Sequence, residues 1–471
     1  MLILRFIPIL LLLLTACAPH LKQTAEPKQL PESFSAPQAG PQFQPELWWN
    51  TFNDPNLNQL LAQLFRSNLN LVQGHARLRQ AEALMRQARS FRYPSLTLEG
   101  QTGSSSQPRT GRDMQGESSQ LSLSAGFELD LFGKLASRDS AGQRNYQASS
   151  MDLQSLYLSL SAQLADLYYL AIEQRAQLAL TDATIASYSG TLQRIEDRYR
   201  QGVAAAVDLY QARQNLAAAR ANRLNFEQAL AVAENTLAVL LGDYPGSQKF
   251  LQQAQIPSAP PQLPAGLPAG LLKNRPDIRA ALLRVEARDA EVAAAIADRF
   301  PTFNLIGSYG GSRSDITSSL LSGNFWSLLL KLSQPVFDGG RRKAEVARNQ
   351  AQFSEAVAGY QQTVLRSFQE VEDALSGNRT ATARIFRLQE QENATEAAQR
   401  LTLDRYLNGL SDYLPVLTSQ IFNFNSQSQL LAARRQLLSQ RISLARALGG
   451  SWMAAQLKTD HQQSAAQGKV Q

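Results

Sequence analysis

The feature that most limits how this chain folds is an internal duplication. Landmark residues recur at one spacing: Pro94 and Pro301, Arg198 and Arg405, Tyr199 and Tyr406, Gly202 and Gly409, and Gly242 and Gly449 are each 207 positions apart. A large unit written twice must appear twice in the fold, so the architecture is built from two similar halves. Between them, Pro245, Pro257, Pro260, Pro261, Pro264 and Pro268 fall within residues 244–270. Each proline fixes φ and removes a backbone donor, so this stretch is expected to be an extended connector. The implied organisation is a first repeat at 47–243, the connector at 244–270, a second repeat at 271–452 and a polar tail at 453–471.

Each half shows the same order of local signals. A helix is expected from about Pro55 to Ser90, with its counterpart from about Pro268 to Asp298, and Pro94 and Pro301 then forbid helical continuation. From Leu121 to Leu131 the odd positions are Leu, Leu, Ala, Phe, Leu and Leu, while the even ones are Ser, Ser, Gly, Glu and Asp. That is period-two alternation, the mark of a strand with one apolar and one polar face. In the preceding segment, Pro94 to Gln107, Leu96, Leu98 and Gly100 alternate with Ser95, Thr97 and Glu99; Phe303, Leu305, Gly307 and Tyr309, then Trp326, Leu328, Leu330 and Leu332, repeat the pattern in the second half. Residues 92–131 and 300–337 are therefore expected to be β-hairpins, with Ser/Gly/Asp-rich loops at 103–119 and 310–323. About a dozen residues of tilted strand cover the apolar thickness of an outer membrane.

Four strands cannot close a barrel, because the smallest membrane barrels use about eight and an open edge in lipid leaves backbone groups unpaired. If the hairpins enter a membrane, several copies must each supply four strands. Two ordinary hairpins of a water-soluble domain are the bland alternative. After Gly133 and Gly340, runs of about 65 residues proceed without proline, with leucines at helical spacing such as Leu153, Leu156, Leu160, Leu164 and Leu167. Helical hairpins are expected at 133–242 and 340–449. A coiled-coil rod would account for these helices but not for the four strands.

Composition enters at the N-terminus. Residues 1–16 combine a short basic start with an apolar run too short to span a bilayer, and Leu14-Thr15-Ala16 leads into Cys17, the one cysteine in the chain. Residues 1–16 therefore read as a signal segment, and the Leu14-Thr15-Ala16-Cys17 ending resembles the bacterial lipobox, which implies that Cys17 becomes the first mature residue and carries acyl chains, with 17–46 as an extended lipidated segment; no second cysteine exists for a disulfide. The formal charge of +7 is spread over cations interleaved with acids and lacks aromatic interleaving, so nucleic acid is not an expected partner. Three histidines and one cysteine supply no metal-ligand spacing, and no acid, base or nucleophile set converges, so neither cofactor nor enzymatic activity is expected.

In their order along the chain, several segments resemble the TolC-like outer-membrane factor family, in particular its lipidated branch serving resistance-nodulation-division efflux pumps. They are Trp48-Trp49 through Asp54-Pro55, residues 128–134 (Glu-Leu-Asp-Leu-Phe-Gly-Lys), Arg275-Pro276-Asp277-Ile278, residues 334–341 (Gln-Pro-Val-Phe-Asp-Gly-Gly-Arg), two Arg-Tyr-x-x-Gly turns, and residues 447–452. The Leu-Thr-Ala-Cys ending resembles the bacterial lipobox, and Ala18 resembles the pattern of lipoproteins sent to the outer membrane. The resemblance implies a mainly α fold with a membrane β-barrel portion. It also implies a homotrimer with a twelve-stranded barrel in outer-membrane lipid and a long α-helical barrel in the periplasm. Its partners would be a periplasmic adaptor and a proton-driven inner-membrane transporter, its cargo drugs or other small solutes. A duct for type I protein secretion is the alternative within the family, and a lipid-anchored periplasmic scaffold rod the alternative outside it.

The candidate site residues lie at the helical turns. Arg198, Tyr199 and Gly202, and Arg405, Tyr406 and Gly409, form two stop-and-reverse motifs whose glycines free the backbone to turn and leave it open to a docking partner. By resemblance, Asp208 and Tyr406 match positions that hold the periplasmic entrance shut, and Leu414 matches a residue that narrows it. This sequence carries Pro415 and Thr418 where relatives carry an acidic residue, which leaves Asp412 as the acid nearest that position.

Overall fold

The computed structural model describes residues 31, 33, 34, 47–107, 114–246, 255–265, 268–314 and 321–450. Cys17, the expected signal segment and the polar tail lie outside the described residues. The described residues form two compact units, one drawn from 76–151 and 279–363 and the other from 47–75, 152–278 and 364–450.

The first unit holds a four-stranded antiparallel sheet, β1 (Ser95–Gln107), β2 (Met114–Leu129), β3 (Thr302–Ser314) and β4 (Leu321–Ser333), in sequential order. Register sets its faces. Leu98 lies opposite Leu123, Leu123 opposite Tyr309, and Tyr309 opposite Trp326. Side chains alternate along a strand, so leucines from all four strands, Leu329 excepted, share one face with Tyr309 and Trp326. That face is open: Leu96 is 69% exposed, Leu328 68% and Trp326 77%. The opposite face carries Thr97, Glu99, Ser124, Ser308, Ser327 and Lys331, with Ile306, Phe325 and Leu329 as apolar exceptions. A soluble domain would bury the apolar face of such a sheet, whereas here much of it stays exposed among the described residues.

Pairing continues into the segments expected as loops, to Gln107 with Met114 and to Ser314 with Leu321. Backbone groups, not side chains, carry the ladder, so serines and glycines remain in register there.

The expected first helix of each half is broken. The observed pieces are α1 (Pro55–Ser67) and α2 (Leu69–Ser90), and then, beyond α3 (Lys134–Arg200) and α4 (Ala206–Leu240), α5 (Pro268–Asn274) and α6 (Pro276–Ala297). The breaks, Asn68 and Arg275, are 207 positions apart and do the same work. Asn68 Nδ2 donates to the Leu240 carbonyl at 2.6 Å, and Arg275 Nη1 donates to the equivalent Ala447 carbonyl at 2.9 Å. Arg275 also forks onto Asp277 at 2.7 and 3.1 Å and reaches Glu370 at 2.8 Å. Pro276 disfavours helix at the residue before it, and the Asn68 side chain, whose Oδ1 accepts from Leu71 N, caps the helix that restarts.

The remaining long helices are α7 (Arg341–Leu407) and α8 (Leu414–Leu448). α3 and α7 are 67 residues each, α4 and α8 are 35 each, as a duplicated chain requires. At their far ends Gly242 and Gly449 have φ of +82° and +74°, and a Cβ there would lie 2.5 Å from Ser67 O and 2.8 Å from Asn274 O. These glycines are landmarks because backbone fills the space a side chain would need. In the second unit Trp48, fully buried, packs edge-on to Trp49 and Phe52, and Asp54 caps α1 through Asn56 N and Leu57 N. Among the described residues, no helix is long and apolar enough to cross a membrane.

Candidate functional site

The candidate site is the pair of turns that join α3 to α4 and α7 to α8. Each long helix stops in the same way. Gly202 N donates to Tyr199 O at 2.9 Å and Val203 N to Arg198 O at 2.9 Å; Gly409 N donates to Tyr406 O at 3.0 Å and Leu410 N to Arg405 O at 2.8 Å. This is a Schellman arrangement, in which a left-handed residue after the helix satisfies its last carbonyls. The glycines have φ of +74° and +72°, a region costly for other L residues.

The side chains, though drawn from the same motif, part company. Tyr406 is 4% exposed and Tyr199 is 44% exposed. Tyr406 packs with Ile195, Leu209, Ala212, Tyr413 and Val416, so its cluster takes residues from all four helices that meet here. Its ring lies 5.4 Å from that of Tyr413, and its hydroxyl donates to Asp208 Oδ2 at 3.4 Å. Arg198 closes the assembly from the first turn: Nη1 donates to Leu407 O at 2.7 Å, and the guanidinium stands 5.3 Å from the centre of the Tyr406 ring. Arg405 makes no ion pair among the described residues and is exposed.

Burial pushes the Tyr406 hydroxyl up to about 12, with the neighbouring Asp208 carboxylate raising it further and Arg198 opposing. Tyr413 is pushed up as well, chiefly by burial. Both phenols therefore stay protonated and able to donate throughout the physiological range. Further along, polar groups tie the halves: Gln420 Nε2 donates to Thr191 Oγ1 at 3.3 Å, Asn215 Nδ2 to Gln420 Oε1 at 3.3 Å, and Arg435 Nε to Glu173 Oε2 at 3.1 Å.

The structure thus brings Arg198, Asp208 and Tyr406 together and leaves Tyr199, Arg405, Asp412 and Leu414 facing solvent. Leu414 lines an open apolar groove of about 430 Å³ with Pro415, Thr418 and Phe422. Asp412 is exposed and makes no side-chain hydrogen bond among the described residues. Tyr413 and Arg275 went unassigned in the sequence reading: Tyr413 lacks a counterpart at the equivalent Ala206, and only the contact map gives Arg275 its role. Among the described residues no group of histidine, cysteine and acid side chains is placed to hold a metal.

An open-edged sheet with one apolar face, together with duplicated long helices, fits a subunit of a membrane channel. The pattern of the outer membrane efflux protein family matches residues 60–243 and again 267–450. The solvent efflux pump outer membrane protein SrpC of Pseudomonas putida is 32% identical over 413 residues, covering 86% of this chain and 87% of that protein. The cation efflux system protein CusC of Escherichia coli is 30% identical over 457 residues, covering 94% of this chain and 97% of that one. The solved outer-membrane channel OprN superposes with a TM-score of 0.83 at 29% identity, covering 91% of this chain and 99% of that chain. The chain belongs to the outer membrane efflux protein family. It is an outer-membrane channel of the TolC-like kind, the exit duct for efflux in a Gram-negative cell.

Proposed function

We propose that three copies form one duct, each giving four strands to a twelve-stranded barrel and four long helices to a periplasmic tube. The observation that carries this is the sheet: its apolar face is exposed and both edges, β1 and β4, are unpaired. In hydrocarbon each unpaired backbone group costs several kcal/mol, so closure onto further copies is the available solution. Twelve strands leave a water-filled lumen.

In this reading Cys17 is acylated and anchors the chain to the outer membrane, with repeats 47–243 and 271–452 on either side of the connector 244–270. The turn residues Arg198, Tyr199, Gly202, Arg405 and Gly409 receive a periplasmic adaptor, through which an inner-membrane proton-driven transporter delivers small solutes. Efflux by relatives of similar length supports this over type I protein secretion. Tyr406 and Asp208 hold the entrance closed, with Leu414 and Asp412 beside it. The test is conductance in planar bilayers. The purified chain is expected to give small single-channel steps, and Tyr406→Phe with Asp208→Ala to give larger ones. Unchanged steps in the double variant would remove the gate, and no conductance in either would remove the duct.

A further inference from the structure

The two hairpins agree on the face that carries most of the leucines and differ on the opposite one. There the second hairpin bears Ile306, Phe325 and Leu329 where the first bears Glu99, Ser118 and Ser122, each 207 positions earlier. Register sets the three apolar residues along one track. Ile306 lies directly opposite Leu329. Phe325 follows Leu329 on the same strand and face, four residues or about 13 Å nearer the β3–β4 loop. Between them the hydroxyls of Ser308 and Ser327 share a hydrogen bond of 2.7 Å and so satisfy each other.

The track is open and uncharged. Leu329 is 54% exposed, and Ile306 and Phe325 are half-buried. From Ile306 to Ser312, and from Gly323 to Leu329, no charged side chain stands on this face. At its other end the track opens into a cavity of about 740 Å³, lined by Ile306 together with the exposed rings of Phe91 and Tyr93, and with Asn304 and Lys331. That volume suits a small molecule.

We infer that this track is a transit site for small uncharged apolar solutes; this rests on the duct proposed above, in which the face lines the water column. Water held against apolar side chains is released when a solute covers them, so an uncharged apolar solute gains on this wall. The first hairpin offers the same solute the hydroxyls of Ser118 and Ser122 and the carboxylate of Glu99, which hold their water. A charged solute gains nothing on the track, because it would lose hydration and meet no opposite charge there. One such track stands in each copy, and the polar hairpins separate them around the ring. Binding is weak, since the wall of a conducting pore must also release what it holds.

The test is cysteine protection in the full-length chain, purified and reconstituted in liposomes. Ser327→Cys places a thiol on the track without removing an apolar side chain, and Gln120→Cys places one at the equivalent position of the first hairpin. Each variant reacts with a charged methanethiosulfonate reagent present on both sides of the membrane, and rates are read against the unsubstituted chain. Cyclohexanol is the apolar probe, and inositol, the same ring fully hydroxylated, is the polar control. For a site of about 10 mM affinity, about 20 mM cyclohexanol slows the reaction of Ser327→Cys about three-fold. The rate of Gln120→Cys is expected to stay unchanged, and inositol to slow neither. Adding Phe325→Ser and Leu329→Ser, the residues of the first hairpin, should abolish the protection; if that variant does not fold, the contrast between the two thiols decides. Equal slowing at both positions or by both solutes, no slowing at thiols that do react, or protection that survives the added serines would overturn the transit site and leave the duct standing. No reaction at either thiol would overturn the duct as well, because the face would not border water.

Discussion

The two turns share one motif and one backbone, yet their tyrosines have opposite environments. Tyr199 projects to solvent, and Tyr406 is the centre of a cluster drawn from four helices. The residues beyond the motif make the difference. Asp208, which accepts from Tyr406, has Pro415 as its counterpart, so the reciprocal bond from Tyr199 has no acceptor. Tyr413, which packs against Tyr406, has Ala206 as its counterpart. Duplication preserved what the backbone needs, and divergence at these two flanking positions decided which turn is fastened.

Substituting the tyrosines gives the largest contrast. Tyr406→Ala is expected to cost about 3–5 kcal/mol of local stability, as for large buried aromatics, and Tyr199→Ala less than about 0.5 kcal/mol. Hydrogen exchange of the amides flanking each turn measures this, and equal opening in the two variants would break the comparison. The glycines are expected to behave alike: Gly202→Ala and Gly409→Ala should each cost about 1–2 kcal/mol, because their φ values match. A clear difference between them would show that the backbones are not equivalent after all.

Smaller effects sharpen the picture. Tyr406→Phe keeps the ring and removes one long hydrogen bond, so about 0.5–1 kcal/mol is expected by the same exchange measurement. The pH dependence has a definite sign. The folded Tyr406 hydroxyl titrates near 12, above the ordinary 10, so its contribution is intact below pH 10 and is lost as pH rises through 12. Protease nicking at the tip should therefore increase over that window, and Tyr406→Phe should remove the part of the rise that this phenol causes.

The duplication, the four strands and the paired long helices were legible because periodicity and proline placement report them directly. The break at Asn68 was not, since asparagine mid-helix is tolerated and only the Leu240 carbonyl explains its role. Strand ends at Met114 and Ser314 were obscured by serine and glycine, which carry no alternation. At the site, the turns could be read from their glycines. The contact between Arg198 and Leu407 could not, because it joins residues 209 apart and follows no local pattern. Tyr413 was hidden for a similar reason: it is absent from the repeat, so symmetry could not point to it.

The most direct test of the account is the mass of the mature chain in a mild detergent, measured by native mass spectrometry. Three copies per particle, resistant to dilution, is the predicted result. A stable single copy with its sheet intact would contradict it, because an open-edged sheet would then be shown to survive where hydrocarbon leaves its backbone unpaired.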